Sequence, residues 1–154
     1  MAFSSRTKGL ARVFAWLLAH PAFTLSGTRP SIELDAEDMG ELLLLLEDFT
    51  RANTRYLERH PEVPHPYDTA LYYDNEPLGQ ERWMGVKRLL TLGWGDCEDL
   101  AAYLAAWYRA RRGIMAKVIL QRFTKRGKTW YHAVVALPDG AILDPSKKLG
   151  MGSY

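Results

Sequence analysis

Residues 93–99 read GWGDCED, and they hold Cys97, the one cysteine of the chain. The run that follows, DLAAYLAAWYRARRG (99–113), is apolar and alanine-rich with a basic end. This pattern predicts a helix from about Asp96 to Arg112, ended by Gly113 where a left-handed residue is favoured. Cys97 then falls in the first turn of that helix. Unpaired N–H groups and the positive end of the helix dipole gather there, and both favour a thiolate, the reactive form of cysteine. Gly93 and Gly95 let the backbone turn sharply and let a substrate approach closely.

Downstream of Gly113 the period changes. IMAKVILQRF (114–123) is β-branched and apolar and predicts a strand, KRGK (125–128) a hairpin turn and TWYHAVVAL (129–137) a second strand. PDG (138–140) predicts a second turn and AILD (141–144) a third strand, broken by Pro145. Helices followed by an antiparallel meander give the α+β class, with the helix of Cys97 packed on a small antiparallel sheet. Of the four histidines, His20 precedes a proline, His60 and His65 lie in a proline-rich stretch, and only His132 sits within a strand. Pairing across 138–140 brings the end of the third strand, Asp144, beside the early part of the second. A carboxylate there can hold the imidazole by one nitrogen, fix its tautomer and stabilise its charged form. Cys97, His132 and Asp144 thus form a nucleophile, a base and an orienter. Singly, each has a plainer explanation: a buried cysteine, a satisfied core histidine, an aspartate that starts a turn before proline. Together, in this order and on these elements, they favour chemistry.

Upstream, DAEDMGELLLLLEDFTRANTRYLERH (35–60) predicts a helix capped by Asp35, with Asp38 in its first turn. Its leucine run 42–46 is apolar nearly all round, which predicts packing on two sides; a coiled-coil or partner face is the alternative. Residues 61–78 are rich in proline and tyrosine and cannot be regular helix; Tyr67, Tyr72 and Tyr73 either line a groove or cover a core edge. A second helix is expected over about 79–91, with Trp83, Val86, Leu89 and Leu90 inward. Residues 1–30 read as an N-terminal helical segment, docking through Val13, Phe14, Trp16, Leu17 and Leu18, and a linker from Pro21 to Pro30; residues 31–154 form the main domain. A weak secretion signal or an arm that grips a partner are the alternatives for the first segment.

The 154 residues suit a chain with a sizeable core, and the apolar share of 47% with 25% charged is that of a globular protein. The net charge of +2 gives no nucleic-acid footprint. A single cysteine excludes an intrachain disulfide and any C-x-x-C metal site, which suits a reducing compartment. No apolar run approaches the length that spans a bilayer.

GWGDCEDLAAYLAAWYRARRGIMAKV, then YHAVV, then AILDPS, resembles the transglutaminase-like superfamily of papain-type cysteine enzymes. The likeness covers roughly residues 79–150, and EPLGQERW (76–83) resembles the short standalone members of bacterial and phage type. The motif around Cys97 is specific; the histidine and aspartate segments are weak singly but correctly spaced. The resemblance implies a papain-like α+β fold, Cys97 as nucleophile, His132 as base and Asp144 as orienter. It implies attack on amide or ester carbonyls through a thioester, and no cofactor. The chain departs from larger members in stopping at Tyr154, with little room for their later strands. By the same likeness a second oxyanion donor, beside the backbone N–H of Cys97, falls to Gln80, Trp83 or Trp94; Trp94 can instead shape the substrate groove or fill the core.

Acids flank the nucleophile. Glu98 and Asp99 suit the first turn of a helix through the dipole, yet carboxylates beside a thiol raise its pKa, and a protonated His132 in contact is the natural offset. Calcium-dependent periplasmic relatives use such acids to bind calcium, which here falls on Asp96 and Glu98. Calcium takes six or more oxygens, and the sequence offers only two or three, so no metal is expected. Two functions emerge. One is a cysteine hydrolase or acyl transferase acting on a peptide or side-chain amide. The other is a non-catalytic module that retains the fold, such as a component of a phage particle or another assembly. The expected partners are a protein or peptide substrate and other chains of an assembly, not nucleic acid or membrane. The expected location is the cytoplasm or a virion.

Overall fold

A computed structural model describes residues 36–75, 82–125 and 128–152. The expectations for residues 1–30, for the Asp35 cap and for Gln80 lie outside the described residues. Helix α1 spans Ala36–Arg59, a 3-10 turn Pro66–Asp68, strand β1 Tyr72–Tyr73, helix α2 Val86–Leu92 and strand β2 Trp94–Gly95. Helix α3 spans Cys97–Arg112, strands β3, β4 and β5 span Lys117–Lys125, Lys128–Ala136 and Ile142–Leu143, and a short helix α4 spans Pro145–Lys148. The class is α+β. Among the described residues no helix is long and apolar enough to cross a membrane.

Helix α3 is the axis of the core. Asp99 to Ala106, eight consecutive residues, are buried, so this helix is covered on every side. Its small residues make that feasible. Ala101, Ala102 and Ala105 let Leu46 of α1 and the strand residues Val118, Ala133 and Val135 pack closely on one side. Leu100, Tyr103 and Ala106 meet Leu57, Val63, Leu71, Met84, Val86 and Leu89 on the other. The helix stops where the sequence says it must: Gly113 adopts φ 64°, and the C-cap backbone N–H returns to the Tyr108 carbonyl. Polar clamps fix α1 against α3. Arg109 makes a paired contact with Glu47 at 2.9 and 2.8 Å, and Arg111 donates to the carbonyls of Leu57 and His60 at the end of α1.

The leucine run departs from the expectation. Leu46 is fully buried, whereas Leu43 and Leu44 are 38% and 65% exposed, so the run is not packed on two sides. The buried stripe meets α3 and β3. The second helix is also shorter than its pattern predicts. Residues 82–85 are not helical and α2 begins only at Val86, with Gly85 as an extended N-cap. Tertiary acceptors explain this: Asp99 takes the Met84 N–H at 2.6 Å and Asn53 takes the Val86 N–H at 3.3 Å. Those N–H groups are thus bonded outside any helix, and Met84 becomes a core residue at 1% exposure.

The meander forms as expected, in the order β3-β4-β5. Lys125 opposes Lys128, the tight register a hairpin demands. Gly140 supplies φ 89° in the second turn. β5 is brief: it pairs only Val135 with Leu143 and Ala136 with Ile142. A second, unexpected pairing sets the approach to Cys97. β1 and β2 lie parallel, with Tyr72 opposite Trp94 and Tyr73 opposite Gly95. Two residues per strand carry too little pattern to be read from sequence. The pairing ties the loop 71–74 to the segment just ahead of Cys97, while the Tyr73 N–H donates to Leu149 after α4.

Gly95 is required by space rather than by its dihedral angles. A Cβ there would press into Leu89 and come within 3.2 Å of the Asp99 Cβ. Gly95→Ala is expected to destabilise the protein by about 1–3 kcal/mol, the usual cost of overpacking, read as a lower urea midpoint with an unchanged slope. A midpoint equal to that of the parent chain contradicts the close packing of β2 on α3.

Candidate functional site

The site lies where β5 stops short. Because β5 pairs only with Val135 and Ala136, the edge of β4 ahead of them is not taken up by that strand. Cys97, the first residue of α3, reaches this edge. Cys97 is itself only partly buried and packs on the same core cluster as Ala133. Its neighbour in that packing, Ala133, directly follows His132, and the Ala133 N–H acts to lower the thiol pKa.

His132 and Asp144 meet as the sequence predicts. His132 is 3% exposed, and its Nε2 lies 3.0 Å from Asp144 Oδ1. The register explains the contact. Carried one residue past Leu143, it sets Asp144 opposite Val134, on the face that also bears His132, and a diagonal neighbour on one face is within reach of a long side chain. Asp144 has a second job: as N-cap of α4 its Oδ1 accepts the Lys147 N–H at 3.1 Å. Turn former and imidazole partner are therefore the same residue. Burial pushes the Asp144 carboxyl up, but the Lys147 N–H and the His132 imidazole outweigh it and hold the carboxyl below its usual range.

The thiol departs from expectation. Helix N-termini favour thiolates, yet the Cys97 pKa is pushed well up, first by burial and then by the Glu98 charge, with Asp96 adding to it and only the Ala133 N–H opposing. The thiol donates to Glu98 Oε2 at 3.1 Å. These effects oppose the thiolate that a helix start favours. The physical reason is burial first and the contacting Glu98 carboxylate second; together they outweigh a partial helix-end charge.

The other acids also sort differently from expectation. Asp99 is fully buried and anchors Met84 through its N–H; its role is to hold the 82–85 strip on α3 rather than merely to suit the dipole. Asp96 is the N-cap residue, in an extended conformation and without a side-chain capping bond. Among the described residues no group of three or more His, Cys, Asp or Glu side chains is arranged to hold a metal ion. Of the oxyanion candidates, Trp83 packs on the cluster that includes Cys97, with its ring 5.5 Å from Phe49. Trp94 packs on the other cluster, its plainer role of filling the core.

Tyr67 is the residue the sequence did not single out from its loop. It packs on the cluster of Cys97, and burial, with Tyr108 and the Asp144 charge nearby, pushes its hydroxyl up to about 12. It reaches this place because the 3-10 turn is capped by His65, whose Nδ1 accepts the Tyr67 N–H at 3.1 Å. His65 is packed edge-on against Trp107 at 4.4 Å, and burial lowers its pKa. It is a structural cap. Nothing in the spacing of a proline-rich loop announces such a return to the sheet.

Comparisons with known proteins return no match: no family model, no curated protein and no solved structure matches the chain.

Proposed function

We propose that the protein is a papain-like, transglutaminase-type cysteine hydrolase or acyl transferase that acts on peptide or side-chain amide bonds. The observation that carries the reading is the His132–Asp144 pair at 3.0 Å, next in sequence to Ala133, whose core cluster Cys97 packs against. His132 takes the thiol proton as Cys97 attacks the carbonyl carbon, forming the S–C bond. The tetrahedral oxyanion is met by the backbone N–H of Cys97, and Trp83 is the candidate for a second donor. The C–N bond then breaks, and the imidazolium returns its proton to the leaving amine, leaving a thioester. Water or a second amine, deprotonated by His132, resolves the thioester. Asp144 keeps the imidazole oriented and supports its charged form. Because burial and Glu98 push the thiol pKa up, proton transfer accompanies the attack rather than preceding it.

A second reading, a non-catalytic assembly module with the same fold, draws on two observations: the thiol pKa is pushed up rather than down, and Leu43 and Leu44 are exposed on α1. A p-nitrophenyl ester separates the two. On the catalytic reading the protein releases a burst of about one equivalent of nitrophenolate at pH 8, with a matching acyl mass on Cys97, and Cys97→Ala shows neither. An adduct that forms no faster than on free cysteine favours the module.

A further inference from the structure

The contact between Cys97 and Glu98 has no place in the acylation steps above, and it opposes them. A nucleophile at a helix start, with the N–H groups of the first turn and the Ala133 N–H around it, has donors for a thiolate. Its thiol instead donates to the carboxylate of the next residue, with 3.1 Å between Sγ and Oε2. In this geometry the carboxylate accepts the very proton that His132 must remove. Among the described residues no lysine or arginine pairs with Glu98, so its negative charge is directed at the sulfur and not spent on an ion pair. Both residues are only partly buried, so the contact can open without unfolding the helix, by rotation of either side chain.

We infer that Glu98 is a restraining residue of the candidate site: it holds Cys97 as a hydrogen-bonded neutral thiol at rest, and the nucleophile becomes competent only when that contact is broken. The inference rests on the cysteine-nucleophile reading, and it adds regulation to it. The charged groups that act on the sulfur are Glu98 and Asp96 from its own segment; on the reading above, His132 with its partner Asp144 faces it from the sheet. Glu98 differs from the others in touching the sulfur itself. Opening the contact frees the thiol proton for transfer to the imidazole, so no further reactant is needed.

The test is the rate of Cys97 alkylation by iodoacetamide against pH, read by intact mass, on the full chain without substrate. Glu98→Gln is expected to move the midpoint of the profile to lower pH and to raise the rate at pH 7 by about tenfold, the effect of one pKa unit. Glu98→Asp keeps the charge but withdraws it from the sulfur, and is expected to fall between the two. A Glu98→Gln midpoint that is unchanged or higher overturns the inference, provided far-UV circular dichroism and melting match the parent; if Glu98→Gln does not fold, Glu98→Asp alone decides by the same criterion. His132→Ala in the same assay reports on the base. A shift with Glu98→Gln but none with His132→Ala supports the restraint and removes the triad, so the two ideas fail separately.

Discussion

His132→Ala is expected to slow acylation of Cys97 by about 10³-fold at neutral pH while leaving the fold in place. The size follows from the resting state. With the Cys97 pKa pushed well above its ordinary value by burial and by Glu98, little thiolate exists at pH 7, and a base must remove the proton during attack. General-base assistance of that kind contributes about 10²–10⁴-fold. Alanine leaves a gap at a position only 3% exposed, so a loss of stability accompanies the loss of rate. His132→Gln, which keeps volume and a hydrogen-bonding end, is the control for that loss. A slow variant with the parent's melting temperature assigns the effect to the base. Measured with a nitrophenyl ester under single-turnover conditions, equal rates in parent and variant contradict the assignment.

The second large effect belongs to Asp144. Asp144→Asn keeps the shape but removes the charge that faces Nε2 at 3.0 Å, so the imidazole loses both its tautomer control and the support for its charged form. Acylation is expected to fall by about 10²–10⁴-fold, as when the third member of such a triad is neutralised. The same residue leaves a mark on stability. Its carboxyl pKa is lower in the folded protein than the ordinary 3.8, so the folded state binds fewer protons there than the unfolded chain. The contribution is fully present above that value and fades as pH falls through it toward the folded value. Urea midpoints of parent and Asp144→Asn are therefore expected to differ at pH 6 and to converge as the pH falls below 3.8. A gap that stays constant over that range contradicts the pairing.

How far the sequence carried the structure depends on whether a signal was local. The end of α3 at Gly113 and the two hairpin turns were legible because glycine conformation and strand pattern are local properties. The encounter of His132 with Asp144 was legible because a short turn fixes register, and register fixes which residues share a face. Residues 82–85 were not, because their apolar spacing suits a helix while Asp99, fifteen residues on, takes the Met84 N–H. The β1–β2 pairing was hidden by its shortness. Tyr67 was hidden because its position depends on a cap and a turn within a proline-rich loop. The charge state of Cys97 was weighed from the right parts, a helix end against flanking acids. What sequence alone does not give is that the Glu98 carboxylate folds back onto the sulfur.

The central claim is that Cys97 attacks carbonyl carbon with His132 as its proton acceptor. The most direct measurement is modification by a peptidyl acyloxymethyl ketone at pH 7, followed by intact and peptide mass, on the parent chain and on His132→Ala. The account predicts a single adduct on Cys97 of the parent, forming at least about 10²-fold faster than on the variant. Equal rates on the two chains, or a parent no faster than a small thiol, would contradict it.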